Sequence, residues 1–131
     1  MFKNILIIGF GMIGSSIARS VIKKYKNVNI FAFDKSNNLK IRINKSKLNN
    51  VKVLKSLQEI NNLNIDLIII CVPMLQYQSI FKKLSNINLD KTIVTDVGST
   101  KVNIEKLYNQ KKYKFNFIPS HPIAGIEKAG L

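Results

Sequence analysis

A chain of 131 residues, 46% of them hydrophobic, has the size and make-up of one folded globular domain. No apolar run reaches the ~20 residues of a membrane span, and Met1-Phe2-Lys3-Asn4 leads directly into an apolar strand rather than a cleavable leader, so a cytoplasmic protein with no membrane partner is expected. The net charge of +14 invites a nucleic-acid partner, but its cations are nearly all scattered lysines with no interleaved aromatics to stack on bases; no nucleic-acid partner is expected, and the field favours a small anionic ligand.

The first element is a run of branched apolar residues, Ile5 to Ile8, that ends at Gly9 and predicts a strand. Helical spacing follows at once, with Ile13, Ile17 and Val21 beside Ala18, Ile22 and Tyr25, and Lys23, Lys24 and Lys26 crowd the end where positive charge suits the helix dipole. Val28 to Phe33 reads as a second strand ending at Asp34. From Lys35 to Asn50 the sequence is polar and loosely periodic, anchored only by Leu39, Ile43 and Leu48, and fits a short helix or a loop. Val51 to Leu54 is a short strand, and Ser56 to Ile60 about one helical turn, broken by Asn61-Asn62-Leu63-Asn64.

Asp66 to Val72 predicts a strand whose apolar run, unbroken from Leu67 onward, is expected of a parallel strand covered on both faces, and Pro73 stops it. It contains the single cysteine, Cys71, which has no internal disulfide partner and reads as a reduced, buried thiol. Tyr77, Ile80, Phe81 and Leu84 predict another helix, Thr92 to Val97 another strand, and Ile104, Leu107 and Tyr108 a helix capped by Ser99 or Thr100. Tyr77, Tyr108 and Tyr113 fit apolar faces or the surface and receive no functional role. Lys114 to Ile118 is the last strand, ending at Pro119-Ser120-His121-Pro122. Strands alternating with helices predict an α/β fold: a doubly wound, mostly parallel sheet of the Rossmann dinucleotide-binding type, forming one domain over residues 1–131.

In such a sheet ligands bind beyond the carboxyl ends of the strands, and the candidate functional groups all fall there. Gly9-Phe10-Gly11-Met12-Ile13-Gly14 is a G-x-G-x-x-G turn between a strand and a helix. Gly9 allows the tight turn, Gly11 the approach of a pyrophosphate, and Gly14 close packing of helix on sheet, while the amides from Met12 and Ile13 onward meet the phosphates. Asp34 lies twenty positions past Gly14, where a carboxylate grips an adenosine ribose and repels a 2′-phosphate, which points to NAD in preference to NADP. Lys35 and Arg42 nearby oppose that preference, and Asp34 also has an ordinary reading as a helix cap. Val72, Pro73 and Asp96 complete the cofactor side. Asp96 also fits a role in holding a neighbouring loop or its backbone N–H groups. His121, the only histidine, sits at a strand end and suits proton transfer near neutral pH, or a turn bonded to backbone; Ser99 donates a hydrogen bond at the site or caps its helix. No grouping of residues points to a metal.

Three segments together carry a family resemblance: Gly9 to Ser16, Asp96-Val97-Gly98-Ser99-Thr100-Lys101, and His121-Pro122-Ile123-Ala124-Gly125-Ile126-Glu127-Lys128-Ala129-Gly130. The chain resembles the nucleotide-binding domain of prephenate/arogenate dehydrogenases, enzymes of tyrosine biosynthesis. The resemblance implies oxidative decarboxylation of prephenate or arogenate, to 4-hydroxyphenylpyruvate or tyrosine. Hydride leaves the ring for the nicotinamide while the ring carboxylate departs as CO2. His121 is implied to take the proton of the ring hydroxyl, and Ser99 to support its hydrogen bonds. Gly125 and Glu127 are implied on the substrate side. Ile126 departs from the threonine usual in that motif, which removes one polar contact. The family adds a helical domain that supplies dimerisation and a substrate-gripping arginine. This chain, ending at Leu131, is expected to be a fragment that lacks it: competent for NAD, weak or inactive alone, with an apolar surface where that domain docks, and a homodimer only in the full-length form. Other readings are a non-catalytic NAD-binding module, a truncated remnant, or a related dehydrogenase acting on another hydroxy acid or imine.

Overall fold

The computed structural model describes residues 1–111 and 113–120. Six strands form one sheet in the order β3-β2-β1-β4-β5-β6. They are β1 (Asn4–Ile8), β2 (Asn29–Phe33), β3 (Val51–Val53), β4 (Leu67–Ile70), β5 (Ile93–Asp96) and β6 (Asn116–Ile118). Every pairing is parallel, and the order reverses on either side of β1, as in the doubly wound dinucleotide-binding architecture. Helices α1 (Met12–Lys24), α2 (Leu39–Lys45), α3 (Tyr77–Leu84) and α4 (Lys101–Lys111) make four of the five crossovers, and a 3-10 segment makes the one from β3 to β4. Lys23 and Lys24 close the last turn of α1, and Lys26 falls beyond it.

The alternation of side chains along each strand divides the core in two. Leu6 and Ile8 of β1 join Ile68 and Ile70 of β4 and Val94 of β5 in a cluster completed by Tyr77, Phe81 and Leu84 of α3 and Ile104 of α4. Ile5 and Ile7 face the other way, onto Ala18 of α1 and Leu39 and Ile43 of α2. The unbroken apolar runs of β1 and β4 therefore reflect a sheet covered on both faces. Each fully buried Ile or Leu removed from water contributes about 1.5–3 kcal/mol, so burial holds these strands strongly. Phe81 is the hub of an aromatic cluster, with Tyr77, Tyr108, Tyr113, Phe115 and Phe117 at centroid distances of 5.1–6.2 Å. The rings of Tyr77, Tyr108 and Tyr113 thus belong to packing, as their spacing suggested.

Between Lys35 and Asn50 the structure selects the helical alternative, because Leu39, Ile43 and Leu48 are all buried against the sheet. The turn after β3 is a 3-10 segment, Leu57–Asn62, which runs two residues past the predicted end at Ile60; a capping box starts it, in which Ser56 accepts from the Gln58 amide and the Glu59 carboxylate reaches back to the Ser56 amide.

Register aligns the strand ends. Ile8 pairs with Phe33 on one side and Ile70 on the other, and Ile70 pairs with Asp96. The ladder runs one residue further, with Gly9 N–H donating to Phe33 O (2.8 Å), Cys71 N–H to Ile8 O (2.7 Å) and Val97 N–H to Ile70 O (3.1 Å). Four segments far apart in sequence thereby reach one edge together.

Candidate functional site

That edge opens into a cleft of about 900 Å³ at the point where the strand order reverses. Gly9, Gly11, Met12 and Ile13 form one wall, Phe33 and Asp34 an end, Cys71 to Pro73 the floor, and Val97 to Thr100 the far wall.

The glycine turn meets three different steric demands. Gly9 has φ +91°, and a Cβ there would come within 2.7 Å of the Cys71 backbone. A Cβ on Gly14 would lie 2.2 Å from the Gly9 carbonyl oxygen, so α1 approaches the turn as closely as it does only because residue 14 has no side chain. At Gly11 a Cβ would meet nothing within 4 Å, which leaves the backbone open to the cleft. Beyond it the first amides of α1 have no intrahelical acceptor, and no acidic side chain occupies that turn. The result is a cradle of N–H groups at the positive end of a helix, suited to a phosphate.

At the end of β2, the Asp34 carboxylate is held from three directions. Oδ2 accepts from Phe10 N–H at 2.8 Å and lies 3.1 Å from the Arg42 guanidinium, and Oδ1 accepts from Ser36 N–H at 2.9 Å. Burial pushes the Asp34 pKa up, but the two amide bonds and Arg42 outweigh it and hold the group below the ordinary carboxylate value. Arg42 also donates to Phe10 O at 2.9 Å, tying α2 to the glycine turn.

Cys71 is half-buried on the cleft floor, and desolvation, helped by the Asp96 charge, pushes its thiol up to about 12. The structure puts Asp96 beneath the cleft rather than in its lining, at 0% exposure. Its carboxylate accepts from Tyr77 OH (3.0 Å), Gly98 N–H (2.9 Å), Ser120 N–H (3.1 Å) and Lys101 Nζ (2.6 Å). The loop-holding role is the one this geometry fits. Burial and the neighbouring Asp96 raise the Tyr77 pKa, so its hydroxyl stays a donor.

Of the residues singled out in the sequence, Gly9, Gly11, Met12, Ile13, Asp34, Val72, Pro73 and Ser99 come together in the cleft lining. Gly14 packs behind the turn. His121, Gly125 and Glu127 lie outside the described residues. Sequence reasoning missed Tyr77, Lys101 and Ser120 as partners of Asp96. Lys101 did carry a signal: a cation in the first turn of a helix opposes the dipole, so it has a carboxylate partner elsewhere.

A family model described as "Prephenate dehydrogenase, nucleotide-binding domain" matches residues 17–131. The chain belongs to this prephenate dehydrogenase family. It is 36% identical to prephenate dehydrogenase of Lactococcus lactis subsp. cremoris, covering 98% of this chain and 36% of that one. It is 32% identical to cyclohexadienyl dehydrogenase of Zymomonas mobilis subsp. mobilis, covering 99% of this chain and 44% of the relative. Among solved structures it is similar to prephenate dehydrogenase from A. aeolicus in complex with hydroxyphenyl propionate and NAD+, with TM-score 0.75 and 28% identity over 98% of this chain and 44% of that one. The chain thus spans less than half the length of these family members.

Proposed function

We propose that this chain is the NAD-binding part of a dehydrogenase that oxidatively decarboxylates prephenate or arogenate. The observation that carries the reading is the convergence, in one cleft, of the glycine turn, the helix amides beyond it, Asp34 and Ser99. The α1 amides hold the pyrophosphate, and open space at Gly11 lets it approach the backbone. Asp34 Oδ1 accepts only the Ser36 amide among the described residues, which leaves a lone pair for a ribose hydroxyl. The ionised carboxylate disfavours a 2′-phosphate, hence NAD over NADP.

When bound, NAD supplies the hydride acceptor. His121 takes the proton from the ring hydroxyl as hydride leaves, and Ser99 supports that hydrogen-bond network. Aromatisation drives the departure of the ring carboxylate as CO2. Gly125 and Glu127 line the substrate side. A helical domain from outside these residues covers the cleft, excludes water and supplies the dimer contact. The bare apolar rim supports this, with Met12 89% and Leu75 97% exposed.

Isothermal titration of the chain tests the cofactor reading. Saturable NAD+ binding is expected, with NADP+ weaker by about tenfold; no NAD+ binding sinks the proposal. In the protein carrying a helical domain, prephenate or arogenate with NAD+ is expected to give 4-hydroxyphenylpyruvate or tyrosine. His121→Asn should abolish turnover and keep NAD+ affinity. Binding without turnover there would leave a non-catalytic NAD-binding module.

A further inference from the structure

We propose that Asp96 is a positioning residue, one buried carboxylate that fixes the loop carrying Ser99 and the strand exit leading into His121 at a set spacing. The inference rests on the reading that these two side chains serve one site.

Four elements converge on Asp96, the last residue of β5. Tyr77 OH arrives from the start of α3, and Gly98 N–H from the loop immediately before Ser99. Lys101 Nζ reaches both oxygens at 2.6 Å from the first residue of α4. Ser120 N–H comes from the residue immediately before His121, and the Ser120 hydroxyl also donates to the Asp96 carbonyl at 2.5 Å. The carboxylate is thereby saturated, facing no part of the cleft, and so acts on ligands only through what it holds.

The contacts on Ser120 reach past the sheet. The last β5–β6 pair is Thr95 with Ile118, and β6 is a three-residue edge strand. Thr95 Oγ1 donates to Ile118 O at 2.7 Å and lies 3.0 Å from Ser120 Oγ. Ladder pairing alone would leave the chain free two residues before His121; Asp96 and Thr95 fix it there. On the other side space is equally tight, since a Cβ on Gly98 would lie 2.9 Å from both Asp96 Oδ2 and Tyr77 OH. Lys101 supplies the counter-charge that a wholly buried carboxylate requires. A cation at the start of a helix is otherwise unfavourable, and this ion pair accounts for it.

Because His121 is the only histidine, its imidazole gives one unambiguous proton NMR signal. Wild type, Asp96→Asn, Ser120→Ala and Tyr77→Phe are compared well below their melting transitions, without and with NAD+. Asp96→Asn and Ser120→Ala are expected to move the ligand-free imidazole signal. NAD+ affinity should stay within about threefold of wild type. Tyr77→Phe should move the Gly98 amide instead. A merely structural role lowers Tm and leaves the imidazole signal in place; an unmoved signal in Ser120→Ala and in folded Asp96→Asn overturns the inference. If Asp96→Asn does not fold, Ser120→Ala and Tyr77→Phe decide it, since both keep the carboxylate. NAD+ failing to move the wild-type signal would count against the reading of the site, while the ligand-free comparison still decides the role of Asp96.

Discussion

Arg42 and Asp34 are joined by an ion pair of 3.1 Å, and the same guanidinium donates to the Phe10 carbonyl at 2.9 Å. One side chain from α2 therefore braces both the Asp34 carboxylate and the glycine turn. Its value lies in geometry more than in charge, because at 39% and 18% side-chain exposure the pair is partly buried, and desolvation of the two groups offsets much of their attraction. Arg42→Ala is expected to leave Tm nearly unchanged and to weaken NAD+ binding by about threefold to tenfold, read by calorimetric titration. An unchanged affinity would mean that the glycine turn holds Asp34 unaided through the Phe10 amide.

On the proposed reading, Asp34 decides between the two coenzymes. Replacing it with Ser removes the charge that repels a 2′-phosphate, while Arg42, Lys45, Ser36 and Asn38 already line the adjoining hollow. Asp34→Ser should lose NAD+ affinity and gain NADP+ affinity, reversing the preference by about a hundredfold or ~2.7 kcal/mol in total. The pH dependence has a definite sign. The Asp34 pKa is lowered in the folded state, so its contribution to stability is fully present above the ordinary carboxylate value and is lost as pH falls through the lowered one. NAD+ affinity should accordingly stay flat from neutral pH down to that range and fall only below it.

The three glycines of the turn should part company under substitution. Gly14→Ala drives a methyl to 2.2 Å from the Gly9 carbonyl and should cost about 3 kcal/mol of stability by denaturant titration. Gly9→Ala forces an L side chain to φ +91° against the Cys71 backbone and should cost at least ~1–3 kcal/mol. Gly11→Ala meets nothing within 4 Å and has φ −83°, so stability should hold while NAD+ binding weakens. Loss of folding in Gly11→Ala would remove the case for an open cradle.

These contrasts bear on how much of the molecule was legible in its sequence. The strands ending at Gly9 and Pro73 announced themselves because an apolar run covered on both faces leaves no polar position, and a glycine or proline bounds it. The glycine turn and Asp34 were legible because their spacing is a steric requirement. The helix at Leu39–Lys45 was ambiguous: three anchoring residues in a polar stretch become an amphipathic face only once the sheet is there to bury them. The Ser56–Glu59 capping box was visible as S-x-x-E yet read only as a turn. The Asp96 network was hidden. Its partners Tyr77 and Ser120 stand 19 and 24 positions away, and a hydrogen bond between distant residues leaves no local pattern. Tyr77 even looked like ordinary packing, because its ring completes the apolar stripe of α3 while its hydroxyl does the other work.

Cys71 offers a separate test of the cleft floor. A thiol must ionise to react, and here desolvation together with the Asp96 charge pushes its pKa up to about 12. Alkylation by iodoacetamide at pH 7.5 should therefore be slower than for an unperturbed cysteine by about a hundredfold or more, even though the residue lines an open cleft. The rate should rise with pH beyond the range where a free thiol levels off, and NAD+ should protect the residue by covering the floor. Asp96→Asn provides the internal control, since removing the charge takes away the second cause and leaves burial. The thiol should then react faster, though still slower than a free cysteine. Rapid alkylation of the wild-type chain at neutral pH would mean that water reaches the floor and that the Asp96 carboxylate is less enclosed than its contacts indicate.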